Sequence, residues 1–212
     1  MKRSDFINPP NVISFFRLAM TPFLFLFLYM EKYLNPDHDT IFFNIAAGIV
    51  FLLGALTDLA DGIVARRWHY VTDIGKFLDP LADKVIVSTA LILLVNLNRA
   101  PAWIALIIIL REMVITGLRG LASTRGTIIA ASNLGKGKTV LQDIALTGLL
   151  LHEPMDLGRG WAPAWLTFHN AGALVLYLAV FYTLYSGYDY VKKFVASETA
   201  DAPGDKPASA GG

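Results

Sequence analysis

Residues 57–84 read TDLADGIVARRWHYVTDIGKFLDPLADK. Asp58, Asp61 and Ala65 are spaced i, i+3, i+7, and Gly62 is i+4 from Asp58. At helical period these positions share one face. Gly75, Asp79 and Asp83 follow at i, i+4, i+8, again one face. Two antiparallel helices joined by a short turn would therefore present four carboxylates to one another. Asp79-Pro80 also reads as an N-cap followed by a first-turn proline, which leaves the start of the second helix open.

Outward from this stretch the chain is apolar. It has 212 residues, 55% hydrophobic, which suits a membrane protein of one domain. A spanning helix needs about 20 mostly apolar residues. Six segments are candidates: 12–31, 42–66, 79–97, 101–122, 139–154 and 166–190, the fifth being short on apolar residues. Lys2 and Arg3 before the first run resemble the start of a signal peptide, but Arg17 interrupts the run and no small-residue cleavage site follows, so a retained helix is expected. Lys2, Arg3, Arg66, Arg67, Lys76, Arg119, Arg125, Lys136, Lys138, Lys192 and Lys193 fall at one set of ends; only Lys32, Arg99 and Arg159 fall at the other. The basic side is expected to be cytoplasmic. The expectation is an all-α polytopic membrane protein with six spans, both termini cytoplasmic, and an active-site cavity on the cytoplasmic side of the cell (inner) membrane.

Residues 1–11 read as a polar approach, 67–78 as a cytoplasmic turn and 123–138 as the longest cytoplasmic loop. Residues 1–195 form the expected membrane domain. From Ala196 the chain is small, polar and proline-bearing, so 196–212 are expected to be a disordered tail. The net charge of +1 gives no reason to expect nucleic acid. The absence of cysteine excludes disulfides, thiolate catalysis and cysteine-bound metals. His38, His69, His152 and His169 are scattered along the sequence and read as surface or interface histidines; Trp68, Trp103, Trp161 and Trp165 fall near span ends and read as interfacial anchors.

Charges inside membrane segments are costly and usually functional. One aspartate at a helix end is ordinarily a cap, and one glycine in a membrane helix a packing contact. Four aspartates at helical spacing on adjoining helices have no such account. Oxygen ligands suit Mg²⁺ or Mn²⁺, and two such ions would offset four carboxylates while leaving coordination sites for a pyrophosphate. Gly62 and Ala65 have little bulk, so a nucleotide could approach the helix closely. Arg66 can fork onto a phosphate.

Asp58, Asp61, Gly62, Ala65, Arg66, Gly75, Asp79 and Asp83 match the pattern D-x2-D-G-x2-A-R-x8-G-x3-D-x3-D without departure. In this the sequence resembles the CDP-alcohol phosphotransferase family. The resemblance implies six transmembrane helices, a homodimer, two divalent cations (Mg²⁺ or Mn²⁺), and an active site open to the cytoplasm. It implies that Asp58, Asp61, Asp79 and Asp83 are metal ligands and that Asp83 is also the general base. Asn11, Ser14, Gly62, Ala65, Arg66, Thr72 and Gly75 correspond to positions that contact CDP-diacylglycerol.

Further stretches, PPNVISFFRLAMTPF near the N-terminus, LREMVITGLRGLASTRG at 110–126 and LGKGKTVLQ at 134–142, resemble the bacterial members that take glycerol 3-phosphate as acceptor. The residues agree with that choice. Arg111 lies ten residues into an apolar run and needs a partner or an aqueous cavity. Glu112 points about 100° away around the helix and is free to pair elsewhere. Arg119 is two turns on from Arg111; Lys138 and Gln142 share a face. Arg111, Arg119, Lys136 and Lys138 are thus the expected site for the acceptor's phosphate. The alternative for these basic residues is the positive-inside rule and contact with anionic lipid. The expected reaction is transfer of the phosphatidyl group of CDP-diacylglycerol to glycerol 3-phosphate. Rivals are a sister enzyme that uses phosphatidylglycerol or inositol phosphate, and a divalent-metal transporter. The transporter is disfavoured because the aspartates cluster at one face only.

Overall fold

The computed structural model describes residues 9–33, 40–68, 73–124, 133–153, 163 and 165–200; for 9–11, 13, 58–68, 73–80, 133–136, 198 and 200 the description stops at the backbone. Six helices follow one another: α1 (Pro9–Tyr33), α2 (Ile41–Trp68), α3 (Asp73–Asn96), α4 (Ala102–Thr124), α5 (Asn133–Leu151) and α6 (Phe168–Ala200). Among the described residues there is no β-strand.

A polar network fixes which helix ends meet. Arg99, in the turn between α3 and α4, is ion-paired with Glu31 near the end of α1. Its Nη1 donates to Asn44 Oδ1 on α2 at 2.8 Å and to the Leu150 carbonyl at 3.3 Å. Asn44 Nδ2 donates to Glu153 Oε1 at 2.7 Å, and Phe168 N donates to the Glu153 carbonyl at 3.0 Å. Lys32 Nζ donates to Asn96 Oδ1 at 2.7 Å. The ends of α1, α3 and α5 and the starts of α2 and α6 therefore lie together. It follows that α2 and α3 run antiparallel, with their aspartate-bearing ends joined by residues 69–72 at the opposite end. Burial pulls the Arg99 guanidinium below its usual range, and Glu31 and Glu153 act against that shift. His152 is held down to about 4, first by burial and then by Arg99 and His169.

Between these ends the helices pack through Leu24, Phe51, Leu91, Leu94, Ile104, Ile108, Leu146, Leu149 and Leu176. In lipid such packing and the interhelical polar bonds, rather than escape from water, hold helices together. Small residues permit the closest approach. A Cβ at Gly172 on α6 would stand 2.7 Å from Leu149 N and 2.9 Å from the Ala145 carbonyl; one at Gly148 on α5 would stand 2.9 Å from the Phe168 carbonyl. The exterior is apolar as well: Phe42, Ile92, Leu106, Met113, Ile144 and Phe181 are each more than half exposed. Ser14–Tyr33 and Phe168–Ser197 are long and apolar enough to cross a membrane, and α2 adds a shorter apolar stretch, Ile41–Thr57. An all-helical chain that displays large apolar side chains on successive helices has the surface of a membrane protein.

Several bounds differ from those expected. α1 begins at Pro9, inside the segment read as a polar approach. α3 begins at Asp73, so Pro80 lies within the helix instead of opening it, a placement that membrane helices tolerate. α5 begins at Asn133, a residue type that favours helix starts, and this carries Lys136 and Lys138 onto the helix. α6 runs to Ala200, so the first five residues of the expected tail are helical. The histidines are less scattered than expected: His152 and His169 are half-buried, with their Nδ1 atoms 3.1 Å apart. His38, His69, Trp161 and the residues from 201 on lie outside the described residues. Trp103 and Trp165 are exposed at the Arg99 end.

Candidate active site at the junction of α3, α4 and α5

Asp83 is the last aspartate of the motif and lies on α3, with Lys84 beside it at 3.3 Å. Near the middle of α4, Glu112 faces the same space, as do Lys138 and Gln142, one turn apart on α5. Asp83, Lys84, Ser88, Glu112, Lys138 and Gln142 line a small cavity of about 40 Å³.

Glu112 is the hub of this space. Lys84 Nζ lies 2.7 Å from its Oε2, while Lys138 Nζ is ion-paired with its Oε1 and Arg111 Nη1 lies 3.3 Å from the same oxygen. The Lys138 and Glu112 side chains are nearly withdrawn from solvent. A buried lysine charge is tolerated only with such compensation. The expectation that Glu112 is free to pair away from Arg111 holds for Lys84 and Lys138, but Glu112 reaches Arg111 as well. Arg111 is also tied to α6: its Nη2 donates to Ser186 Oγ at 2.8 Å, alongside Gly187. Gln142 Oε1 is buried on the cavity side of α5 and receives no hydrogen bond from the described residues.

Of the residues expected to bind the acceptor, the structure brings Lys138 and Arg111 together around Glu112. Arg119 is exposed and lies over the Tyr190 ring, 5.9 Å from its centroid, and does not line the cavity. Ser14 is fully buried on α1. The backbone carries Asp58, Asp61, Gly62, Ala65 and Arg66 on α2, Gly75 and Asp79 on α3, and Lys136 on α5, but their side chains and that of Asn11 lie outside the description; Thr72 lies outside the described residues altogether. Among the described residues no three His, Asp or Glu side chains gather to hold a metal ion. The donor set that would do so is carboxylate oxygen only, the set that hard divalent cations prefer, and its members lie on antiparallel helices at the end where α2 meets α3.

Two charged residues in this part of the bundle have no site role in the sequence pattern. Lys84 was legible only as the residue after the motif. Arg17 served only to argue against a signal peptide, yet it is buried in α1, and a Cβ at Gly54, one turn before Asp58, would be 3.7 Å from Arg17 Cγ. An arginine in an apolar run was the available signal. Asp143 borders a second space: an apolar groove of about 420 Å³ between α2, α5 and α6, lined by Leu52, Leu56, Ile144 and Val175 among others.

The chain matches the family model described as CDP-alcohol phosphatidyltransferase over residues 7–185. It is 41% identical over 192 residues to the CDP-diacylglycerol–glycerol-3-phosphate 3-phosphatidyltransferase of Bacillus subtilis, covering 88% of this chain and 94% of that one. The protein of the same name from Escherichia coli is 34% identical, with 87% and 93% covered. That from Rickettsia bellii is 32% identical, with 87% and 94% covered. The unbroken aspartate motif on α2 and α3, the family match over most of the chain and these full-length relatives lead to one conclusion: this chain belongs to the CDP-alcohol phosphatidyltransferase family.

Proposed function

We propose that this protein transfers the phosphatidyl group of CDP-diacylglycerol to glycerol 3-phosphate, giving phosphatidylglycerol phosphate and CMP. The observation that carries this is 41% identity, over nearly the full length, to a relative named for that reaction, joined to a basic cluster that meets Asp83 inside the bundle. Inositol, serine and choline bring no phosphate to such a cluster; glycerol 3-phosphate does.

In this reading Asp58, Asp61, Asp79 and Asp83 hold two divalent cations, Mg²⁺ or Mn²⁺. Bound there, the cations would offset the carboxylate charge and polarise the pyrophosphate. Asn11, Ser14, Gly62, Ala65, Arg66, Thr72 and Gly75 contact CDP-diacylglycerol, with Arg66 forking onto a phosphate. Lys138 and Arg111 bind the acceptor's phosphate, with Lys136 and Arg119 contributing from the approach. Gln142 Oε1 accepts a hydrogen bond from a glycerol hydroxyl. Asp83 takes the proton of the primary hydroxyl; that oxygen attacks the phosphorus nearest the diacylglycerol, and CMP leaves with the bridging oxygen. The apolar groove beside Asp143 supports lateral access for an acyl chain that never leaves the lipid phase.

Six spans, both termini in the cytoplasm and an active site open to the cytoplasmic face of the inner membrane complete the proposal, with residues 1–195 as the membrane domain, 196–212 as a tail and a homodimer as the assembled form. The charge asymmetry between helix ends supports the orientation. The test is CMP release from CDP-diacylglycerol with a panel of acceptors in the presence and absence of divalent cation. Release is expected with glycerol 3-phosphate and cation together. Release only with inositol phosphate or phosphatidylglycerol would reject the acceptor.

A further inference from the structure

Three cations converge on one carboxylate at a site expected to bind a dianion. Glu112 Oε1 is shared by Lys138 and Arg111, while Oε2 is taken by Lys84 at 2.7 Å. The cavity that the described residues leave beside them, about 40 Å³, has room for a few waters at roughly 10–15 Å³ each but not for a glycerol phosphate. For a phosphate to enter, a side chain must move. Lys138 is buried on α5 and Arg111 is anchored on Ser186 of α6. Glu112 occupies the anion position itself, on a side chain with three rotatable bonds.

We propose that Glu112 is a resident anion, a carboxylate that holds Lys84, Lys138 and Arg111 in the geometry of a phosphate site until the acceptor's phosphate displaces it. This rests on the acceptor proposed above and adds Lys84 to the residues that receive it. A phosphate monoester offers three oxygens, one for each cation, where Glu112 must share one oxygen between two. The exchange replaces one set of charge-assisted bonds with another, so the three cations stay compensated in both states. Glu112 competes with the acceptor, and the strength of its hold sets part of the acceptor's apparent affinity.

The experiment varies glycerol 3-phosphate at saturating CDP-diacylglycerol, using the full chain in mixed micelles, for the wild type, Glu112→Gln and Glu112→Asp. Inorganic phosphate serves as a competing anion. Removal of the competitor predicts that Glu112→Gln lowers the KM for glycerol 3-phosphate and the inhibition constant for phosphate together, by up to about tenfold. Glu112→Asp, with the same charge but shorter reach, shifts both in the same direction by less. A raised or unchanged KM in both variants overturns the proposal, because Glu112 would then order the cations without competing. If Glu112→Gln does not fold, Glu112→Asp decides alone. If the wild type shows no transfer to glycerol 3-phosphate, the proposed function fails first. Thermal stabilisation by inorganic phosphate still decides the present point: stronger stabilisation of Glu112→Gln than of wild type supports a resident anion, and equal or weaker stabilisation overturns it.

Discussion

Gly187 on α6 makes the room in which Arg111 of α4 lies: a Cβ there would stand 3.3 Å from both Cγ and Nε of the arginine. This contact, with the Arg111 bond to Ser186, positions a guanidinium that must reach inward to Glu112. Gly187→Ala requires Arg111 to give by a few tenths of an ångström; Gly187→Val requires it to leave. We expect Gly187→Val to raise the KM for glycerol 3-phosphate about ten- to a hundredfold, the worth of one hydrogen bond to a charged group. The KM for CDP-diacylglycerol should stay near wild type. Steady-state kinetics with each substrate varied in turn distinguishes this from a general loss of fold, which would lower active enzyme without changing either KM.

The crossing of α5 over α6 depends on Gly148 and Gly172. A methyl group at Gly172 would overlap backbone atoms on α5, which cannot yield as a side-chain tip can. Overpacking of this kind costs typically about 1–3 kcal/mol. Gly172→Ala is expected to lower the thermal unfolding temperature in detergent. Gly117→Ala, where the added Cβ meets nothing within 4 Å among the described residues, is expected to be neutral or to raise it, since alanine holds a helix better.

The Arg99 network lies at the opposite end from Asp83. Removing Glu31 alone leaves a buried guanidinium short of its ion pair, a change that commonly costs about 3–5 kcal/mol. Glu31→Leu should therefore destabilise strongly, and Glu31→Leu with Arg99→Leu should recover much of the loss. A double variant no more stable than the single one would show that the hydrogen bonds to Asn44 and Leu150 outweigh the pair. Unfolding midpoints of the single and double variants give the comparison.

His152 gives this end a pH dependence. Its folded value near 4 lies below the ordinary 6.5, so the unfolded chain binds the proton more readily. Its contribution to stability is fully present above 6.5 and declines as the pH falls from there towards 4. His152→Gln should flatten that part of the profile, measured as unfolding temperature against pH. An unchanged slope would mean that the proton loads another group.

Asp83→Asn keeps the size of the side chain and removes its basicity. Transfer should fall to background while the unfolding temperature stays near that of the wild type. Near-normal turnover would remove Asp83 from the role of base.

The aspartate motif was legible because its chemistry is written as spacing on two consecutive helices, and helical period alone brings each pair to one face. The six helices were legible from their apolar runs. Their starts were not: α3 and α5 begin six residues earlier than expected, because polar segments such as NLGKGK look like loop while their backbone continues the helix. The hub at Glu112 was hidden for a different reason. Lys84, Glu112 and Lys138 come from three helices, and nothing in one sequence sets the rotation of one helix against another. Adjacency in sequence also misled: 100° of helical rotation separates Arg111 from Glu112, yet both side chains are long enough to meet at 3.3 Å. His152 and His169, seventeen residues apart, meet because the chain returns to the same end of the bundle.

In the proposed reaction a glycerol 3-phosphate hydroxyl attacks the phosphorus nearest the diacylglycerol. The most direct measurement supplies glycerol 3-phosphate carrying ¹⁸O in its primary hydroxyl and follows both products by mass spectrometry. Phosphatidylglycerol phosphate with one ¹⁸O and CMP with none are the expected products. Phosphatidic acid together with a labelled cytidylyl ester of glycerol phosphate would place the attack on the other phosphorus and contradict it.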